Sequence, residues 1–233
     1  MLPVSIMIPS DLLKKLDHNS IYQDALAKIH KLLPTLKSRV IIGIGGIPGS
    51  GKSTLAEYIC NRINLQYPNQ VASVSMDGFH LSKAQLSAMT DPEAAFARRG
   101  APWTFDSESF VEHLRHFKQY PSKPLSWPSF DHAYGDPVFN DVIIAPDVKI
   151  LIVEGLYVLH QQDGFEKASE FLDFRWFIHL ELEHAMAQLA LRHQKAWGIS
   201  AEEAKHRILI NDALNAQIAD LSQQHADHVL HII

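Results

Sequence analysis

The chain has 233 residues, 46% of them hydrophobic and 20% charged, a balance that excludes a disordered chain or a fibre and reads as one large globular domain over residues 1–233. Its 21 basic and 26 acidic residues leave a net charge of −5, which argues against a sequence-independent nucleic-acid binder but leaves room for a local basic pocket around a small phosphorylated ligand. The apolar runs at residues 40–44 and 150–153 are far shorter than the roughly 20 residues of a membrane helix. The N-terminus lacks the basic flank and cleavage site of a signal peptide, and Cys60 stands alone, so the chain reads as a cytoplasmic protein without a membrane partner.

In chain order, residues 12–16 and 21–33 carry apolar positions at helical spacing, including Ile21, Leu26, Ile29 and Leu33. They predict one or two helices within residues 1–38, the second ended by Pro34. These helices are expected either to cover a sheet edge or to contact a second copy of the chain in a homodimer. Residues 40–44 are a continuous β-branched and glycine run, the mark of a strand buried on both faces. Residues 43–51 contain five glycines and a proline, and a helical pattern follows with Leu55, Ile59 and Ile63 on one side. Residues 71–76 read as a second strand.

The stretch 78–146 is different: it is rich in proline, aromatic and polar residues, with short helices expected at 92–98 and 107–117, the latter capped by Asp106. It is too long for a plain connection and reads as an inserted acceptor-binding region. Strand patterns resume at 148–153 and 174–180. Helices are expected at 183–195 and from Ala201 to about Leu221, and 229–233 reads as a last strand. Strands separated by helices predict an α/β fold, a mostly parallel five-stranded sheet flanked by helices.

The most specific signal is Gly46-Ile47-Pro48-Gly49-Ser50-Gly51-Lys52-Ser53, which fits G-x-x-x-x-G-K-[ST] between a buried strand and a helix. Its glycines turn successive backbone N–H groups inward around phosphate oxygens, and the positive end of the helix adds to the attraction. The motif predicts a P-loop NTPase fold in which residues 46–53 and Thr54 bind ATP. Lys52 reaches the β- and γ-phosphates, and the Ser53 hydroxyl binds Mg²⁺.

Two carboxylates follow strand ends, where open α/β sheets place chemistry: Asp77 and Glu154. Phosphoryl transfer to an alcohol needs one group to take the hydroxyl proton and one to hold Mg²⁺. Asp77 suits the first role. Glu154 suits the second, with a share in acceptor binding. Gly78 and Gly155, directly after them, are read as letting a ligand approach the backbone. The alternative is a nucleotide-driven switch or ATPase acting on a protein partner, which needs no proton acceptor at Asp77.

The loop, Asp77-Gly78-Phe79 and Glu154-Gly155-Leu156 together resemble the phosphoribulokinase/uridine kinase superfamily, from about Val40 to the C-terminus. Within it the chain is most similar to the bacterial-type pantothenate kinase branch and to a group of sugar-transport-associated and fungal kinases. Gly100–Asp106 resembles the family segment G-x-P-x-x-[FY]-D, and Pro128-Ser-Phe-Asp-His132 its P-x-Y-x-H segment near the acceptor. The resemblance implies ATP-dependent phosphorylation of a hydroxyl group on a small metabolite such as a sugar, nucleoside or vitamin-like compound. Where uridine kinases carry a tyrosine after the base, this chain has His80.

For the acceptor pocket the candidates are His80, Arg98, Arg99, Asp131, His132 and Tyr134, with Arg98 and Arg99 as a clamp for an anionic group. Phe79, Trp103 and Phe105 read as core. A helical lid is expected over residues 183–200. There Arg192 and Lys195, three apart, are expected to share one face and to bring a cation to the migrating phosphoryl group, Arg192 first. Asn211 and Asn215, four apart, suit either an adenine edge or a polar helix surface.

Overall fold

The computed structural model describes residues 8–131 and 134–232. Helices α1 (Ser10–Leu16) and α2 (Ser20–Leu32) come first, and Asn19 caps α2 by accepting the Ile21 N–H at 3.0 Å. The β-branched run becomes β1 (Val40–Gly46), buried throughout, and the glycine loop leads into α3 (Lys52–Gln66). β2 (Val71–Ser75) follows, one residue shorter than its pattern because Met76 opens a 3₁₀ turn, Met76–Phe79.

The insert holds α4 (Lys83–Ser87), α5 (Pro92–Ala97), α6 (Ser107–Gln119) and an antiparallel hairpin of β3 (Leu125–Asp131) and β4 (Asp136–Ile144). Asp106 caps α6 by accepting the Ser109 N–H at 2.9 Å. The hairpin has no sequence counterpart above. Pro128 and a register shift between Trp127 and Ser129 break the alternation that marks a strand.

The chain then returns through β5 (Ile150–Glu154), β6 (Phe174–His179), α7 (Leu182–Trp197), α8 (Ala201–Arg207), α9 (Ala213–Asp220) and β7 (His228–His231). The single helix expected from Ala201 is interrupted by a π turn, Ile208–Asp212.

Five parallel strands form the main sheet in the order β2-β5-β1-β6-β7. The alternating side chains of β1 and β5 divide two cores. Ile42, Ile44, Ile150 and Ile152 pack with Leu55 and Ile59 of α3 and with Ala25 and Ile29 of α2. Ile41, Leu151 and Val153 pack with Phe110, Phe117, Trp127 and Tyr157 on the other face. The N-terminal helices therefore cover a sheet face beside α3 rather than an edge. At the amino end of β1, buried Arg39 donates to the carbonyls of Phe117, Tyr120, Ala145, Pro146 and Val148 and lies over the Phe117 ring at 4.4 Å. Among the described residues no helix is long and apolar enough to cross a membrane.

Candidate active site

Parallel register brings Ile44, Ser75 and Glu154 level, so the strand ends of β1, β2 and β5 open onto one place. The glycine loop sits there. Gly49 and Gly51 have φ of 81° and 89°, the left-handed region that side chains resist. Lys52 is buried, and its Nζ donates to the Ile47 carbonyl at 2.8 Å. Ser53 Oγ donates to Glu154 Oε1 at 3.0 Å. Ser50 Oγ is buried without a hydrogen-bond partner among the described residues, a donor suited to a phosphate oxygen.

Burial pulls the Lys52 ammonium down to about 8, opposed by the Glu154 and Asp77 carboxylates, with Arg192 pushing further down. Burial likewise pushes the Glu154 carboxyl up, against the pull of Lys52. These four groups line one cavity of about 260 Å³. The Ser53 hydroxyl and the Glu154 carboxylate are hard oxygen donors, a fit for Mg²⁺ completed by phosphate oxygens and water.

Asp77 is carried by the 3₁₀ turn after β2. Its N–H donates to Ser75 Oγ at 3.1 Å, and its carbonyl lies 2.8 Å from His80 Nδ1. The glycines after the two carboxylates also allow close packing of the protein on itself. A β-carbon on Gly78 would lie 2.0 Å from the Pro128 carbonyl, and one on Gly155 1.9 Å from Met76 Cγ. Protein takes the β-carbon space at both positions, while Gly155 itself lines the cavity.

The acceptor candidates divide. His80 lines the cavity, its ring held between Phe105 at 4.0 Å and Phe130 at 4.4 Å. Arg99 also lines it, but its guanidinium is committed to the Leu81 and Gly135 carbonyls and to Asp136. Arg98 faces elsewhere, donating to Asn211 Oδ1 and Asn215 Oδ1 at 2.9 Å each, so the expected arginine clamp is not formed. The same bonds engage both asparagine carbonyls, and Asn211 Nδ2 donates to the Arg99 carbonyl at 2.8 Å. These amides tie the insert to the C-terminal helices, and both asparagines line the cavity. Tyr134 is 75% exposed and does not line the cavity. His132 lies outside the described residues. Phe79 and Phe105 are core, whereas Trp103 is exposed.

On α7, Arg192 lines the cavity and Lys195 is exposed away from it. Three residues along a helix leave two side chains about 60° apart, enough for one to meet a curved wall and the other to point past it. Sequence reasoning missed His193, Trp197, Arg207 and Asp212, which line the same cavity. His193 is 5% exposed, its Nε2 lies 2.9 Å from Asp212 Oδ2, and its ring stacks on Trp197 at 4.3 Å. Arg207 lies over Trp197, also at 4.3 Å. The π turn adds a residue that no 3.6-residue period anticipates, so Asp212 could not be placed from spacing. The proximity of His193 to Arg192 was the one available signal.

Residues 41–230 match the model of the Phosphoribulokinase / Uridine kinase family. A Schizosaccharomyces pombe protein provisionally described as a uridine kinase is 38% identical over 197 residues, 83% of each chain. The ATP-dependent kinase YFH7 of Eremothecium gossypii is 30% identical over 228 residues, 85% of this chain and 67% of its own. A solved structure from Silicibacter sp. TM1040, provisionally described as a fructose transport system kinase, is similar with a TM-score of 0.79 at 27% identity, covering 91% of this chain and 98% of that one.

Proposed function

The chain belongs to the phosphoribulokinase/uridine kinase family, whose P-loop kinases use ATP, and on that premise we propose that it transfers the γ-phosphoryl group of ATP to a hydroxyl group of a small metabolite. The observation that carries this reading is Asp77 on the wall of the cavity that holds Lys52 and the glycine loop, close enough to act electrostatically on the Lys52 ammonium. A switch needs no proton acceptor beside an acceptor pocket.

In the proposed mechanism the loop N–H groups, Ser50 Oγ and Lys52 hold the phosphates. Asp77 orients the acceptor hydroxyl and takes its proton as the new O–P bond forms and the bond from the γ-phosphorus to ADP breaks. Mg²⁺, held by Ser53 and Glu154, would neutralise charge on the β- and γ-oxygens. Arg192 supplies a cation from the lid where negative charge spreads over the migrating group. His80 and Phe130 form the wall against which the acceptor rests.

The name of the Silicibacter neighbour makes sugars the first acceptors to try, followed by nucleosides and vitamin-like alcohols. ATP turnover is measured with and without each compound, in the wild type and in Asp77→Asn. The wild type should be stimulated by its acceptor. Asp77→Asn should bind ATP as the wild type does, by calorimetry, yet lose at least ~10²-fold in acceptor-dependent kcat. Near-full transfer by Asp77→Asn would refute the assignment, and turnover governed by a protein partner would install the switch in its place.

A further inference from the structure

One wall of the cavity is made where the insert meets the C-terminal helices. Asn211 and Asn215 accept from Arg98, and Asn211 Nδ2 donates to the Arg99 carbonyl at 2.8 Å. Tyr157 Oη donates to the neighbouring Gly100 carbonyl at 2.7 Å. Burial pushes the Tyr157 phenol up, with Arg98 opposing and the Asp77 and Asp212 carboxylates adding to the push. This wall therefore stands within electrostatic reach of Asp77.

Arg207 belongs to the same wall. It ends α8, directly precedes the π turn and lines the cavity. It is exposed, so a ligand can reach it. Its backbone is fixed by the turn, in which Asn211 is bonded to the insert and Asp212 Oδ2 lies 2.9 Å from His193 Nε2. Its guanidinium is fixed by Trp197, 4.3 Å from the ring centre, and that ring stacks on buried His193. The carboxylates nearest in the chain are engaged elsewhere. Glu203, one turn earlier on α8, accepts the Ser200 N–H and Oγ at 2.8 Å each, and Asp212 faces His193. Among the described residues Arg207 has no ion pair and no hydrogen-bond partner.

The other cations of the cavity are already accounted for. Lys52 and Arg192 serve the triphosphate, and Arg99 is spent on the Leu81 and Gly135 carbonyls and on Asp136. We propose that Arg207 binds an anionic group, a carboxylate or a phosphate, carried by the acceptor. Among sugars and other alcohols the protein would then select those that bear an acid group. The proposal rests on the reading of the cavity as a phosphoryl-transfer site. A guanidinium presents a planar fork of N–H donors that matches two oxygens of either group. Held over Trp197, it gives up little freedom when the anion arrives.

The test uses the full chain loaded with Mg²⁺ and the non-hydrolysable analogue adenylyl imidodiphosphate, so that the triphosphate site is filled. Inorganic phosphate, glycerate and glycerol are titrated by calorimetry into the wild type, Arg207→Gln and Arg115→Gln. Arg115→Gln removes the same charge from the exposed face of α6 and controls for net charge. The wild type should bind phosphate or glycerate at least tenfold more tightly than glycerol, and the anion preferred tells phosphate from carboxylate. Arg207→Gln should lose about tenfold for that anion and keep wild-type affinity for the analogue. Arg115→Gln should lose neither. No preference for either anion over glycerol in the wild type, or an undiminished preference in Arg207→Gln, would overturn the proposal. An equal loss of analogue affinity in Arg207→Gln would also overturn it, by giving Arg207 to the triphosphate. Anion binding that depends on Arg207, in a protein whose turnover no alcohol stimulates, would overturn the transfer reading and leave the anion site standing.

Discussion

Lys52 is a charged group placed where charge is expensive. It leans on the Ile47 carbonyl and on two nearby carboxylates, and burial still holds its ammonium at about 8, against 10.5 for a free lysine. The sign of the consequence differs for folding and for binding. Between about pH 8 and 10.5 the unfolded chain keeps a proton that the native protein has lost, so this group makes the ligand-free protein more stable as pH rises through that window. ATP needs the ammonium, so its affinity should fall as pH rises above about 8. Lys52→Met should remove this contribution to the stability profile and bind ATP weakly at every pH. Thermal melts and calorimetry from neutral pH to about pH 10 check both trends, and a flat wild-type ATP affinity over that range would contradict them.

At the scale of the element, α7 turns a helix into an aimed cation. Its buried face is fixed by His193 against Asp212 and Trp197, and by Ala185, whose carbonyl would lie 2.4 Å from a β-carbon on Gly49. The helix is therefore seated directly on the phosphate loop, with Arg192 over the cavity and Lys195 in solvent. A group that acts on transition-state charge affects kcat and leaves ground-state binding nearly intact. Arg192→Ala should lower kcat by about 10²-fold, with a smaller rise in the KM for ATP. Lys195→Ala should change neither. A loss confined to KM would make Arg192 a ground-state binding residue.

Across the whole molecule, Arg39 joins the start of β1 to the end of α6 and to the turn before β5, segments more than 75 residues apart in the chain. It does so at the amino end of the sheet, opposite the site. Its guanidinium keeps two buried carbonyls bonded, those of Phe117 and Val148, and each would cost about 1–3 kcal/mol if left unpaired. Arg39→Met should therefore lower unfolding stability by about 3 kcal/mol or more, measured by denaturant titration, while the folded fraction keeps wild-type ATP affinity. A coupled loss of ATP affinity would mean that the two ends of the sheet are linked.

How much of this protein its sequence determined depends on the range of the forces involved. The buried strand read at residues 40–44, the helix after the glycine loop and the Asp106 cap follow from side-chain pattern and from hydrogen bonds between near neighbours. The glycine loop is legible for the same reason: its torsions are demanded locally, residue by residue. Asp77 and Glu154 were singled out because each ends a strand. That they share one cavity with Lys52 and Arg192 follows only from the parallel register of β1, β2 and β5. The tertiary structure alone decided the rest. It spread Arg98 and Arg99 to different partners, filled the space above Gly78 and Gly155 with Pro128 and Met76, and brought Asp212 to His193 through a π turn. These pairings join residues far apart in the chain, and the packing of whole elements, not the preference of any one segment, selects among the many that composition permits.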